Sequence, residues 1–295
     1  MTGFASVAAL QAALDDDDYL ADDGLATALF LGGELELPVL LEGEPGVGKT
    51  AAARALARAR GAELLRLQCY EGLTAREALY DWNYQRQMLA IRLAEARQER
   101  LADADLFTEE FLSERPLLRA LRHPGPVAPV LLIDEIDRAD DEFEALLLEF
   151  LGEASVTIPE LGTVTARRRP VVVLTSNRSR ELHDALRRRC LYHWIAFPEP
   201  EQVARVLRRR VPGADGRLIE NATAFVLRAR GLDLDKPPGL AETIDWLSVL
   251  TTLGVGDLVA ESMTPTLGAL FKTPDDLELV GAALSDHGLA LSEER

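Results

Sequence analysis

The sequence predicts an α/β fold in which a mainly parallel, five-stranded sheet has helices on both faces and is followed by an all-helical region. Two observations predict it. Short apolar runs alternate with helical segments through most of the chain, which is typical of parallel sheets covered by crossover helices. Strand signals then stop after Pro198 and Pro200, and only helical patterns follow. We therefore expect an α/β domain over residues 1–198 and a helical lid domain over residues 199–295.

The predicted elements follow this division in order. Residues 1–37 are predicted to be helical, with the acidic run Asp15–Asp18 as a solvated turn or helix start. Five apolar runs predict the buried strands: Pro38–Gly43, Leu64–Cys69, Val130–Ile133, Val171–Leu174 and Leu191–Phe197. The helical patterns cover Lys49–Arg60 with Gly61 as its C-cap, Thr74–Leu101, Asp141–Ala154, Glu201–Arg210, Arg217–Arg230, Leu240–Leu253 and the stretch after Pro265. A hairpin is predicted between Val156–Ile158 and Thr163–Thr165.

Composition narrows the class of protein. The 295 residues carry a net charge of −17, which disfavours a protein whose main partner is nucleic acid, because phosphate backbones bind basic surfaces. The two cysteines, Cys69 and Cys190, lie far apart and predict neither a disulfide framework nor a zinc site. The N-terminus does not look like a secretory signal, and no apolar run is long enough to span a membrane. We expect a cytoplasmic protein.

The strongest motif is Gly43-Glu44-Pro45-Gly46-Val47-Gly48-Lys49-Thr50, which matches the phosphate-loop pattern G-x-x-x-x-G-K-[ST]. Glycines let backbone N–H groups turn around phosphate oxygens, and the helix that follows presents its positive end to the anion. In such a loop Lys49 is expected to reach the β- and γ-phosphates of ATP, and Thr50 to place its hydroxyl on Mg²⁺.

Acidic residues end the third predicted strand. In Val130–Glu135 an apolar run delivers Asp134 and Glu135 to the carboxyl end of the sheet, where α/β folds bind ligands. Asp134 is expected in the Mg²⁺ shell, and Glu135 is expected to polarise the attacking water. The alternative is a strand that ends in a solvated acidic turn.

Two further features stay open on sequence alone. Asn177 follows the fourth strand, which can lie between the two strands just discussed, and it either contacts the water or γ-phosphate or serves as a turn residue. The run Arg187–Arg189 either completes the ATP site of a neighbouring subunit or forms the cationic end of a short helix.

The order GEPGVGKT, LLIDEID, LTSN and ALRRRC resembles AAA+ ATPases. Residues 65–73, 78–89, 156–164 and 174–194 are similar to the MoxR family, and more narrowly to its CoxD-like branch. The resemblance covers roughly residues 19–280. It implies that Asn177 is the sensor 1 residue and that Arg189, assisted by Arg188, is the arginine finger. It also implies a helix-2 insertion within 74–101 and a hairpin insertion near 155–168, both candidate contacts for a substrate.

One departure from the family pattern concerns sensor 2, which is usually an arginine that opens a lid helix. No arginine lies at the expected place near Leu240, and Lys236 is the nearest candidate to supply the charge. Lysine is a point charge rather than a bidentate fork, so the coupling of the lid to ATP is in question.

The resemblance implies a ring-forming ATPase, expected to be a hexamer, that remodels a protein client with ATP and Mg²⁺ as cofactors. It further implies a partner with a von Willebrand A-type domain and a metalloenzyme client, such as a molybdenum hydroxylase of the carbon monoxide dehydrogenase type. The alternative is an ATP-binding scaffold with little turnover of its own. A nucleic-acid motor is disfavoured by the net charge.

Overall fold

The structure, a computed structural model, describes residues 3–100, 102–159 and 161–285. These residues form two compact units. The first contains the chain up to Ala13 together with Ala21–Glu42 and Thr50–Trp194. The second contains Leu14–Leu20, Gly43–Lys49 and the chain from Ile195 onward, so the short loop that carries the phosphate motif groups with the C-terminal helices.

A five-stranded parallel sheet forms the centre of the first unit. The strands of the described chain are β1 (Val39–Gly43), β2 (Leu64–Gln68), β3 (Tyr80–Trp82), β4 (Leu112–Glu114), β5 (Val130–Asp134), β6 (Ser155–Ile158), β7 (Gly162–Thr165), β8 (Val171–Ser176) and β9 (Leu191–Ile195). The order in the sheet is β2-β5-β8-β1-β9, and the pairs β2–β5, β5–β8 and β8–β1 run parallel. The fold class predicted from the sequence is confirmed.

Helices surround this sheet and continue after it. Those of the first part are α1 (Val7–Asp16), α2 (Asp23–Glu34), α3 (Lys49–Ala59), α4 (Ala75–Leu79), α5 (Tyr84–Arg97), α6 (Asp103–Leu106), α7 (Pro116–Arg122), α8 (Asp141–Glu153) and α9 (Asp184–Arg187). The C-terminal ones are α10 (Pro200–Arg210), α11 (Gly216–Ala229), α12 (Leu240–Thr252), α13 (Ala260–Met263), α14 (Leu267–Leu270) and α15 (Pro274–Ser285). Short 3₁₀ turns cover Glu109–Phe111, Ile136–Arg138 and Thr264–Thr266.

Each unit has its own apolar core. In the first, every residue of β5 is buried, and side chains of α7 and α8 pack against the sheet, as expected for strands covered by helices. In the second, Trp246 of α12 packs against Phe225 of α11 with their rings 5.2 Å apart, and its indole N–H donates to Thr266 at 2.9 Å. No helix in the described ranges is long and apolar enough to cross a membrane.

The predicted helix over Thr74–Leu101 is wrong in its middle. After α4 the chain forms strand β3, in which Tyr80 and Trp82 are both buried, and only then enters α5. Strand β3 pairs antiparallel with β4, which lies about 30 residues later in the chain. A strand of three residues is too short to show the alternating pattern by which strands are recognised in a sequence. Leu101 lies outside the described residues.

The acidic run Asp15–Asp18 forms a turn, as one of the two expectations had it, but at the end of a helix rather than at a helix start. Helix α1 ends within the run, and Asp18 adopts a left-handed conformation with φ of 59°. Asp15 is paired, because Arg209 donates to its carbonyl at 2.7 Å and to its carboxylate at 3.2 Å. The predicted hairpin is confirmed as the antiparallel pair β6–β7, whose predicted turn includes residue 160 outside the described ranges.

Candidate nucleotide site

The phosphate loop lies between β1 and α3, so the strand and helix that the motif requires on either side are both present. Gly46 has φ of +79° and Gly48 has φ of +99°, conformations that glycine adopts readily and other residues adopt at a cost. The loop turns tightly at these two glycines and delivers the chain to the first residue of α3. A helix N-terminus with its unpaired N–H groups is suited to bind an anion.

Lys49 is held against the loop by main-chain oxygens. Its ammonium donates to the carbonyl of Gly43 at 2.7 Å and to that of Glu44 at 2.8 Å, and the residue is only 7% exposed. Carbonyl oxygens carry no net charge, so neither of these two acceptors neutralises the ammonium. An ammonium in this position is suited to neutralise a phosphate.

The second unit contributes an arginine that the sequence pattern did not single out. Arg230, just after α11, donates to the carboxylate of Glu44 and, at 2.7 Å, to the carbonyl of Pro238. Its guanidinium also stacks on Phe197, 4.0 Å from the ring centroid. Its place at the end of a predicted helix gave no reason to distinguish Arg230 from the other arginines of this region.

Lys236, the residue predicted to replace the sensor 2 arginine, is exposed. Its N–H donates to Asp276 at 3.1 Å, and that carboxyl also accepts the N–H of Asp235 at 2.8 Å. Hydrogen bonds from Thr273 and from these two amides hold the pKa of Asp276 below its usual range. The loop before α12 is thus fixed through its main chain, and a role for the Lys236 side chain in binding nucleotide stays a prediction.

Asp134 is the centre of a dense hydrogen-bond network in the first unit. The residue is 2% exposed, and its Oδ1 accepts the hydroxyl of Thr50 at 2.9 Å and that of Thr175 at 2.6 Å. Its Oδ2 accepts Nε and Nη2 of Arg66 at 3.0 and 2.6 Å. Strands β2 and β8, which carry Arg66 and Thr175, flank β5, so these two side chains reach the carboxylate from opposite sides. Arg66 and Thr175 were both missed from the sequence.

Glu135 has a left-handed backbone, with φ of 56° and ψ of 50°. This conformation costs a non-glycine residue on the order of 1–3 kcal/mol, so it persists only where its surroundings enforce it. Its N–H donates to Thr175 Oγ1 at 2.9 Å, and its carboxylate pairs with Arg138 at 2.9 Å. Thr175 therefore connects the carboxylate of Asp134 to the main chain of Glu135.

Asn177 follows β8, which lies between β5 and β1 as expected from the sequence. The residue is half-buried and begins a turn that Asp137 holds from one side. The carboxylate of Asp137 accepts the N–H of Ser179 at 2.8 Å and its hydroxyl at 2.6 Å. The turn places Asn177 at the edge of the sheet where Asp134 ends its strand.

The three consecutive arginines have different environments. Arg187 lies over Tyr192, 5.6 Å from the ring centroid. The side chain of Arg188 is 82% exposed and faces Asp184 at 3.7 Å. Arg189 donates through Nη1 to the carbonyl of Leu148 in α8. Arg188 and Arg189, the two arginines predicted to act on a neighbour, are both exposed, and Arg189 is in addition hydrogen-bonded to α8.

Thr50 and Asp134 offer hard oxygen ligands of the kind that Mg²⁺ prefers. Within the described ranges, no group of three or more His, Cys, Asp or Glu side chains could hold a metal ion without help. The donor set therefore fits an ion that takes most of its ligands from phosphate oxygens and water. This is the usual way in which Mg²⁺ binds with nucleotides.

Comparisons with known proteins agree with this geometry. A family model described as AAA domain (dynein-related subfamily) matches residues 38–190, just over half of the chain. Two solved structures of RuvB from Thermotoga maritima are similar in fold. An alanine-to-serine mutant has a TM-score of 0.50 at 18% identity, covering 85% of this chain and 70% of that one. A proline-to-glycine mutant has a TM-score of 0.49 at 19% identity, covering 83% and 67%.

A comparison with curated proteins found no match. The family match spans the phosphate loop, Asp134, Glu135, Asn177 and the arginine run. The chain therefore belongs to the AAA domain family, in its dynein-related subfamily, and is an ATP-hydrolysing enzyme.

Proposed function

We propose that this ATPase uses hydrolysis to remodel a protein client, and that its site is built from the residues that the sequence singled out. The observation that carries the proposed site is the 2.9 Å hydrogen bond between Thr50 and Asp134. It connects the last residue of the phosphate motif to the acidic end of β5. ATP with Mg²⁺ is the ligand that uses both: Gly43–Thr50 would hold the phosphates, and Thr50 and Asp134 would hold the metal.

The remaining roles follow from charge and position. Lys49 would neutralise the β- and γ-phosphates, and Thr50 and Asp134 would hold an Mg²⁺ ion that supplies further positive charge to the same oxygens. Glu135 accepts a hydrogen bond from the attacking water and orients it. Asn177, at the end of the neighbouring strand, donates to that water or to the γ-phosphate. Release of Glu135 from its pair with Arg138 would be needed before the carboxylate could serve the water.

Assembly is the second part of the proposal. An arginine that meets the developing charge on phosphate is worth several orders of magnitude in rate. Arg188 and Arg189 would supply it to the site of the next subunit in a ring, proposed to be a hexamer. The high exposure of Arg188 supports this role, since a side chain that acts on a neighbour must be free to reach it.

The surface of α5 supports a protein client. Tyr84, Met88, Leu89 and Leu93 are 48–58% exposed, an unusual concentration of large apolar side chains on one short helix. This helix lies in the 74–101 segment predicted to contact a substrate. We propose that this apolar surface, with the β6–β7 hairpin as the second predicted contact, binds unfolded or flexible segments of the client.

The finer identity rests on the resemblance to the CoxD-like branch of the MoxR family. On that basis we propose a von Willebrand A-type partner and a metalloenzyme client of the molybdenum hydroxylase class. We also propose that residues 199–295 act as the lid of a nucleotide-binding domain over residues 1–198. The likeness to RuvB, a Holliday junction branch migration motor, extends to fold only, and the charge of −17 disfavours a nucleic-acid substrate.

The decisive experiment changes Glu135 to Gln and measures ATP binding and phosphate release. We expect binding to be kept and turnover to fall by about 10²–10⁴-fold, the usual contribution of a positioned general base. Glu149→Gln, which removes an exposed carboxylate from α8, is the matched control and should leave both quantities unchanged.

The same assay separates the proposal from its alternative. A wild-type protein that binds ATP but releases phosphate only very slowly, alone or with a partner, would be an ATP-loaded scaffold. Turnover that survives Glu135→Gln would remove Glu135 from the mechanism. For the client, a Glu135→Gln protein loaded with ATP should retain bound proteins, and Leu89→Glu on α5 should release them.

A further inference from the structure

Glu42 is a buried carboxylate to which the sequence pattern gave no role. It is the last residue of β1 before the phosphate loop and is 2% exposed. Its Oε2 accepts the hydroxyl of Tyr192 at 3.1 Å and faces Arg178 at 3.7 Å and Arg187 at 3.8 Å. Burial and the charge of Glu42 raise the pKa of Tyr192, so the phenol stays protonated and donates at neutral pH.

The two arginines come from segments that carry proposed catalytic groups. Arg178 directly follows Asn177, and Arg187 directly precedes Arg188. Each guanidinium also lies over an aromatic ring of β9, Arg178 at 5.8 Å from Trp194 and Arg187 at 5.6 Å from Tyr192. The Glu42 carboxylate on β1 thus contacts both the turn after β8 and the end of α9.

The turn that contains Arg178 has a strained backbone. Arg178 has φ of +58°, a left-handed value that costs a residue with a side chain on the order of 1–3 kcal/mol. Its N–H donates to Ser176 Oγ at 3.0 Å. Asp137 fixes Ser179 on the far side of the turn, so Asn177 lies in a segment held at both ends.

A role in stability alone does not account for the charge of Glu42. Burying a carboxylate is costly, and replacing a buried ion pair by apolar groups of similar volume is often neutral or stabilising. At this position β1 is otherwise apolar, with Val39, Leu40 and Leu41 all buried. The buried charge of Glu42 is explained if it holds the neighbouring arginines in one position.

We propose that Glu42 is a positioning residue that holds the strained Arg178 backbone and thereby sets Asn177 for catalysis. By attracting Arg187 it also orders the end of α9, from which Arg188 projects. This inference rests on the proposed role of Asn177 in orienting the water or the γ-phosphate. Glu42 acts only through these arginines and Tyr192, so its loss should slow turnover without weakening the binding of ATP.

The first test is Glu42→Gln, which keeps the size of the side chain and an oxygen for Tyr192 but removes the charge. We expect kcat to fall about tenfold while KM for ATP and the affinity for a fluorescent ATP analogue stay within about twofold. Arg178→Gln should give a similar loss, and the double variant should be no slower than either single one, since both break one interaction. Glu36→Gln, an exposed carboxylate just before β1, is the control for lost charge.

Arg178→Gly keeps the proposal testable if Glu42→Gln folds poorly. Glycine relieves the left-handed strain, so the melting temperature should stay equal or rise while kcat still falls. Hydrogen exchange gives a readout that does not need turnover or assembly. Amides of residues 177–180 should exchange faster in Glu42→Gln and Arg178→Gly, and those of β5 should not.

Asn177→Ala in the same series distinguishes a failure of the Glu42 role from a failure of the Asn177 role. If Asn177→Ala is slow but folded Glu42→Gln is as fast as wild type, or exchange at 177–180 is unchanged, the positioning role is overturned and the site proposal stands. If Asn177→Ala keeps full turnover, the role of Asn177 fails, and with it the inference about Glu42. A parallel loss of kcat and ATP affinity in Glu42→Gln would also overturn the inference.

Discussion

Arg230 donates a hydrogen bond to the carboxylate of Glu44, inside the phosphate-binding loop. The side chain of Arg230 is 14% exposed and that of Glu44 is 48% exposed, so the guanidinium is largely withdrawn from water and the carboxylate is not. Glu44 is an anion in a loop built to bind an anion, and Arg230 neutralises it. The pair connects the end of α11 to the loop that would hold the phosphates of ATP.

The pair makes a prediction about nucleotide affinity. Arg230→Gln leaves Glu44 unneutralised beside the phosphates, so we expect ATP to bind about tenfold more weakly, a change of about 1.4 kcal/mol. Adding Glu44→Gln removes the repulsion and should restore most of the lost affinity. Titration of the wild type, Arg230→Gln and the double variant with a fluorescent ATP analogue measures both changes in affinity. Equal affinities for the single Arg230→Gln variant and the wild type would contradict it.

Gly239, just before α12, carries a second prediction. A Cβ added there would lie 2.7 Å from the carbonyl oxygen of Pro45 and 2.9 Å from the Cα of Gly46. Main-chain atoms cannot move aside easily, so Gly239→Ala should distort the phosphate loop and weaken ATP binding by about tenfold or more. The matched control is Gly281→Ala in α15, where a Cβ meets nothing within 4 Å and should stabilise the helix by about 0.5–1 kcal/mol.

A nucleotide titration and thermal melts of these two glycine variants check the prediction. Unchanged ATP affinity in Gly239→Ala would show that the loop tolerates the added methyl group. A loss of ATP affinity would then be expected only for side chains larger than alanine at this position.

The arginine run predicts complementation between inactive variants. Arg188→Ala should bind ATP normally but hydrolyse it slowly, because each site lacks the arginine of its neighbour. Mixed with Glu135→Gln, it should regain part of its turnover, since some interfaces then pair an intact Arg188 with an intact Glu135. Phosphate release from mixtures at varying ratio is the measurement. Mixtures no faster than the sum of their parts would place the arginine's action within its own subunit.

Arg189→Ala separates the two arginines. Its guanidinium already donates to the carbonyl of Leu148, so its loss should lower the free energy of unfolding by about 0.5–1.5 kcal/mol, the usual net contribution of a hydrogen bond. A thermal melt measures this, and Arg188→Ala, which loses only an exposed pair with Asp184, should melt like the wild type. The reverse order of stabilities would contradict the assignment.

The cysteines predict a pH dependence of labelling. Burial raises the pKa of the Cys69 thiol to about 12, helped by the charges of Asp134, Asp137 and Glu135, and burial alone raises that of Cys190 to about 12. Only the thiolate reacts with iodoacetamide, so at pH 8 both should label at least about 100-fold more slowly in the folded protein than in urea. Rapid native labelling of either thiol, measured by mass spectrometry, would contradict its burial.

Much of the fold was predictable because its signals are local. Strands β1, β5 and β8 each begin with an apolar run, and each leads to a residue that the sequence already marked: Gly43, Asp134 and Asn177. Because parallel strands deliver their carboxyl ends to one edge, the strand pattern by itself is enough to expect these residues near one another. The phosphate loop could be recognised because its pattern is contiguous.

The missed residues share a different cause. Arg66 meets Asp134, and Glu42 meets Arg178 and Arg187, and each contact joins segments far apart in the chain. One charged residue inside a strand looks the same in the sequence whether it faces solvent or a buried partner. Strand β3 was missed similarly, because its pairing with β4 depends on a distant segment.

The phosphate loop also determines how the molecule can be shortened. Gly43–Lys49 groups with the C-terminal helices, where the N–H of Ala241 donates to the carbonyl of Gly46 at 3.2 Å and Arg230 covers Glu44. A fragment that stops at residue 198 would keep every residue of the nucleotide motif and still lose these contacts. Such a fragment should be a poor sample for nucleotide titration or inhibitor screening, because its loop would sample conformations that the whole protein excludes.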